Sequence, residues 1–165
     1  MQMKTIGGSL VVLAVLLQIG TLSGIQVTDS MKSSTDIAVV VNPKNDTNEL
    51  SSAELRSILL GERRFWKNKL PLTIVLREPG SRECDNVIAS LKMSNGEFGR
   101  LWRDKVFRGE ASAPPLEVRS NGLATQVIRD NPGSVTFLAG KNLARDVKVL
   151  KIDGKWPGET GYRLK

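Results

Sequence analysis

The sequence predicts one α/β domain with a mixed or mostly parallel sheet flanked by helices, and three observations carry that expectation. Short β-branched runs alternate with segments whose apolar residues recur at helical spacing, which is the pattern of a layered sheet-and-helix fold. The first run, Ile37-Ala38-Val39-Val40-Val41, is continuously apolar rather than alternating, which suits a strand covered on both faces. At 165 residues the chain is long enough for one domain with a proper core but tight for two.

Ahead of that domain, Lys4, the apolar residues 10–17 and the small residues Thr21, Ser23 and Gly24 have the layout of a secretory signal cleaved near Ser23. Residues 1–23 are therefore read as a signal peptide, and the expected location is the periplasm or another part of the bacterial envelope. An uncleaved anchor is the alternative, because residues 6–25 are almost long enough to span a bilayer, and it is the one route to membrane contact. Residues 24–35 read as a flexible lead-in rich in Ser and Thr, residues 36–154 as the folded domain, and residues 155–165 as a polar tail.

Within the domain, Asn42-Pro43 ends the first strand. Ser51 and Glu54 form a capping box, Leu50 can staple onto Leu55, and Gly61 stops the helix that follows. Leu72 to Leu76 is the next apolar strand, and Cys84, Val87, Ile88 and Leu91 mark a helix after it. Ser94 and Glu97 repeat the capping box ahead of Phe98, Leu101, Trp102 and Val106, with Gly109 closing that helix. Leu116 to Val118 is a short strand. Ser120 caps a helix carrying Leu123, Val127 and Ile128 that breaks at Asn131-Pro132-Gly133, and Ser134 to Leu138 and Val147 to Ile152 are two further strands. Trp66 and Trp102 are expected to anchor packing.

Chemistry concentrates at Arg77-Glu78-Pro79-Gly80-Ser81, where a strand delivers an arginine, turns on Pro-Gly, and presents a serine at a helix start. A guanidinium offers paired donors to an oxyanion, and the free N–H groups of a helix start add partial positive charge. Ligands in such sheets sit beyond the carboxyl ends of strands, which also marks Asn42 and Ser120-Asn121-Gly122. The candidate ligand-binding set is Arg77, Gly80, Ser81, Arg82 and Asn121, while Glu78, Glu83 and Asp85 read as a solvated rim.

Catalysis finds little support. The chain has no histidine, which removes the usual general base and most transition-metal sites, so neither a metal nor another cofactor is expected. The single cysteine, Cys84, cannot close a bridge within the chain and falls on an apolar helix face, which suits an inert core thiol. The formal charge of +7 favours anionic partners; nucleic acid is not expected, because basic residues are scattered and aromatics few.

The order of these motifs resembles the phosphate-binding-protein-like domain of substrate-binding components of ABC phosphate transporters. The resemblance runs over residues 36–154. It rests on Ile37 to Pro43, Leu50-Ser51 with Glu54-Leu55, Ile58-Leu59 and Gly61, Trp66, Arg77 with Gly80-Ser81, Trp102, Phe107 with Gly109, and Pro132-Gly133 before a strand. It implies a single-lobe periplasmic-binding-protein-like fold and a non-catalytic protein that binds phosphate or a related oxyanion. Two-lobed members use an Arg-x-x-Gly-Ser-Gly-Thr element at the ligand; Arg77, Gly80 and Ser81 match it, whereas Arg82 stands at the second glycine and Glu83 at the threonine. A one-lobed site leaves an anion half solvated, so weak affinity is expected unless a second subunit or an envelope protein completes the cleft. The alternative is an envelope protein-protein interaction module that keeps the fold without a small ligand.

Overall fold

The computed structural model describes Met31 and residues 34–164. The residues expected as a signal peptide, and most of the expected lead-in, lie outside the described residues.

A six-stranded sheet organises the domain in the order β2-β6-β1-β5-β3-β4. Its strands are β1 (Ile37–Val41), β2 (Glu49–Leu50), β3 (Thr73–Arg77), β4 (Leu116–Val118), β5 (Ser134–Ala139) and β6 (Lys148–Ile152). The sheet is mixed. β3 runs parallel to β4 and β5, and β2 parallel to β6, while β1 runs antiparallel to both β5 and β6.

Alternation along the strands divides the apolar residues between two cores. Ile37, Val39 and Val41 join Ile74, Leu76, Val135, Phe137, Leu150 and Ile152 on one face, beneath helices α1 (Ser52–Leu59), α2 (Arg82–Ser90) and α3 (Asn95–Phe107). Ala38 and Val40 join Val75, Leu138 and Val149 on the other, against Ala124 and Ile128 of α4 (Asn121–Asp130). All five β1 residues are buried, which explains the run with no polar alternation. Each large side chain of this kind contributes about 1.5–3 kcal/mol on burial.

Helix starts follow the expected chemistry. Ser51 and Glu54, and again Ser94 and Glu97, form reciprocal capping boxes. Ser81 and Ser120 cap α2 and α4 through their side-chain oxygens. Gly61 ends α1 at a φ of 69°, and a Cβ there would fall 2.7 Å from the Trp102 ring, so glycine is required by both backbone and packing. Trp66 and Trp102 are buried, with their indole N–H groups donating to the carbonyls of Gly133 and Leu59.

Two segments differ from the sequence reading. Residues 155–164, expected as a polar tail, fold back onto the sheet, where Tyr162 and Leu164 join the core. The Tyr162 hydroxyl donates to the Ile37 carbonyl at 2.8 Å, and the Ile37 amide to the Leu164 carbonyl at 2.9 Å, while Trp156 packs against the second core, so three apolar side chains in a polar stretch dock it. Met31 of the lead-in is likewise buried, in the second core.

Candidate functional site

Three parallel strands deliver the site. Because β3 is parallel to both β4 and β5, with Arg77 opposite Val118, the carboxyl ends of all three lie along one edge. Arg77 closes β3, Asn121 opens α4 just beyond β4, and Asn142 lies in the 3-10 turn Gly140–Asn142 that follows β5. α2 starts at Arg82, five residues beyond Arg77 across the Pro79-Gly80 turn.

These side chains form one connected network. Arg77 Nη1 donates to Asn121 Oδ1 at 2.7 Å, and Asn121 Nδ2 donates to Glu83 Oε1 at 3.3 Å. Asn142 Nδ2 donates to the same Glu83 oxygen at 3.1 Å. Glu83 is therefore no rim residue. It is only 7% exposed, because the second position of α2 faces inward over the strand ends rather than outward with Arg82. Glu78 is the solvated carboxylate, 3.7 Å from Arg77 Nη2 and half exposed. Asp85 is occupied locally, accepting from the Gly80 amide at 3.0 Å and from Asn95 Nδ2 at 2.7 Å.

Arg77 is held short of saturation. Its side chain is 16% exposed, and Nε is one of two buried side-chain polar atoms among the described residues without a hydrogen-bond partner. A buried donor left unpaired costs stability until something accepts from it.

The other expected ligand residues have local roles. Ser81 Oγ accepts from the Cys84 amide at 3.4 Å and donates to the Glu78 carbonyl at 2.7 Å, so its hydroxyl serves the cap and turn. Gly80 adopts a φ of 88°, the left-handed turn that brings Ser81 round to the helix start. The Arg82 guanidinium reaches the Thr35 carbonyl at 2.5 Å instead of the Arg77 network. Asn42 lies at the opposite end of the sheet, since β1 runs against its neighbours; it is 3% exposed, and its amide donates at 2.8 Å to the carbonyls of both Ile128 and Arg129, locking the end of α4. Cys84 is buried, and burial, with the charges of Asp85 and Glu117 secondary, pushes its thiol up to about 11. A groove of about 660 Å³ borders Arg77, but Leu76, Ile88, Phe98, Trp102 and Leu116 make it an apolar trough rather than an anion cradle.

Asn142 and Glu83 are the two members that sequence reasoning did not select. Asn142 follows a strand exit and obeys the rule that marked Asn121. Glu83 stands at the threonine of the resembled element, and its acidic character, ordinary in a first helical turn, led it to be read as rim.

Among the described residues no helix is long and apolar enough to cross a membrane, and none of their His, Cys, Asp and Glu side chains cluster as a metal site. No family model matches the sequence. Solved structures share the fold. A Clostridium perfringens protein described as a phosphate ABC transporter substrate-binding protein, solved with phosphate bound, is similar at 17% identity and a TM-score of 0.61 over 74% of this chain and 46% of its own. An ABC-type phosphate transport receptor from Vibrio cholerae is similar at 22% identity and a TM-score of 0.53, over 74% of this chain and 48% of its own. PstS from Borrelia burgdorferi is similar at 16% identity and a TM-score of 0.56, over 74% and 49%. The mixed sheet with its flanking helices is thus a periplasmic-binding-protein-like fold. The chain spans less than half the length of each of these proteins.

Proposed function

We propose that the protein is an exported, non-catalytic binding protein whose lobe presents a small-oxyanion site at the shared carboxyl edge of β3, β4 and β5. The observation that carries this reading is Arg77, held at that edge by Asn121 with a buried Nε that has no acceptor. The first-turn amides of α2 add partial positive charge beside it, and Gly80 and Ser81 shape the turn between them. Arg82, the first residue of α2, is turned to the Thr35 carbonyl and adds only to the general positive charge of this face. Phosphate is the ligand class favoured by the fold's solved neighbours, one of which holds it.

A catalytic role is disfavoured by the lack of histidine and by a buried thiol with a raised pKa. A second subunit or an envelope partner completing the site belongs to the same reading; the chain spans less than half the length of its solved neighbours.

Calorimetric titration with phosphate and sulfate tests the reading. Saturable one-to-one binding with Kd about 1 mM is expected for a one-sided site, at least tenfold weaker in Arg77→Ala. Absence of saturable binding in the native protein up to about 20 mM phosphate refutes it.

A further inference from the structure

We infer that Glu83 sets the affinity of this site by acting as its resident anion. The inference rests on the oxyanion reading of the Arg77 edge and concerns the side-chain amides around Arg77, whose own Nε keeps no acceptor. An incoming oxyanion needs donors: side-chain amides, a helix start and a guanidinium. The Glu83 carboxylate already takes two of those amides, from Asn121 at 3.3 Å and Asn142 at 3.1 Å, while almost wholly withdrawn from solvent. Asn121 is also the group that holds Arg77, so carboxylate and guanidinium are coupled through one amide side chain.

Position reinforces this. Glu83 is the second residue of α2, where a negative charge offsets the partial positive charge of the helix start that would otherwise attract a ligand. Elsewhere in this turn the donors are taken by Asp85 and Ser81, so Glu83 is the acidic group placed inside the Arg77 network rather than around it. A free oxyanion entering the network must displace the Glu83 carboxylate from its amides or sit against a like charge. Either route weakens binding. Glu83 is thus an affinity- and specificity-determining residue: it weakens binding of every oxyanion and of dianions most strongly.

Replacing Glu83 with alanine removes a methylene and a carboxylate, the size of an acetate ion, so acetate and phosphate are the two probes. Wild type, Glu83→Ala and Glu83→Ala with Arg77→Ala are titrated by calorimetry and thermal shift, with ionic strength held constant by chloride. Near-UV circular dichroism checks the fold, and Glu83→Thr repeats every arm if the alanine variant does not fold. The expected result is acetate binding to Glu83→Ala but not to wild type, phosphate binding at least tenfold tighter than in wild type, and loss of both gains when Arg77 is also removed. Acetate binding without phosphate binding supports the resident carboxylate and overturns the phosphate reading alone. Equal phosphate affinity in wild type and Glu83→Ala overturns the inference and leaves the oxyanion site standing. No binding of either anion to any folded variant overturns both.

Discussion

Asn121 is the point at which the candidate site can be tested by stability alone, because one amide side chain joins Arg77 to Glu83. Asn121→Ala removes a short hydrogen bond from a guanidinium and a longer one to a carboxylate. Hydrogen bonds to charged groups contribute about 1.5–3 kcal/mol each, which sets an upper bound. Two features reduce it. Arg77 is 16% exposed, so water can reach part of the freed guanidinium, and Asn142 still donates to Glu83 at 3.1 Å. Asn121 is the first residue of α4 and Ser120 is the cap, so alanine brings no loss of capping. The net expectation is a loss of about 2 kcal/mol, equivalent to about 4–8 °C in Tm for a chain of this size. Urea unfolding followed by tryptophan fluorescence measures it. A double-mutant cycle with Arg77→Ala should then return a coupling of about 1–2 kcal/mol. Additivity within about 0.5 kcal/mol would show that the two side chains act independently in solution, and the network described above would not exist.

Three further outcomes are expected. Cys84, buried with its thiol pushed up to about 11, should not react with a thiol-specific reagent at pH 8 until the protein is unfolded; rapid labelling of the native chain would place it at the surface. Hydrogen bonding from the Ser51 amide holds the Glu54 carboxyl below its usual 4.5. Its stabilisation is therefore complete above that value and lost as pH falls through the lower folded value, so the stability gap between wild type and Glu54→Gln should be flat from pH 7 to about 5 and close in more acidic urea melts. Tyr162→Phe deletes a buried hydroxyl that donates to Ile37 at 2.8 Å and should cost about 1–2 kcal/mol; an unchanged urea midpoint would mean that residues 155–164 are not docked as described.

What could be read from sequence was local. Ser51 with Glu54, and Ser94 with Glu97, announce helix starts within four residues, and all four side chains bond as the motif requires. Arg77 and Asn121 were both marked by strand exits, and the parallel pairing of β3 with β4 brings them within 2.7 Å. The direction of β1 was not legible, because its neighbours β5 and β6 lie nearly a hundred residues further on and nothing local selects parallel or antiparallel pairing. That direction removes Asn42 from the edge holding Arg77. The burial of Glu83 was hidden for the same reason: the amides that donate to its carboxylate come from residues 38 and 59 positions away. Trp156, Tyr162 and Leu164 escaped notice as isolated apolar residues in a polar stretch, too few for a period.

Arg77 sets an electrostatic problem at this edge of the sheet. An arginine largely withdrawn from water at a helix start needs negative charge nearby, and breaking such a compensated arrangement by deleting one partner is strongly destabilising. In a closed cleft a bound anion can supply that charge. Here Glu78 lies 3.7 Å from Arg77 and Glu83 is linked to it through Asn121, an arrangement that holds the edge without a ligand and opposes one that would occupy it. Stability and binding therefore pull in opposite directions at one residue. The sign is testable within the Glu83→Ala titrations: the variant should unfold more easily than wild type in chloride buffer and recover as anion is added, by about 2.7 kcal/mol at a hundredfold excess over Kd. A variant that is less stable and does not recover with either acetate or phosphate would show that Glu83 is a structural carboxylate and nothing more. Recovery that depends on Arg77 would show instead that the same donors serve the side chain and the ligand in turn.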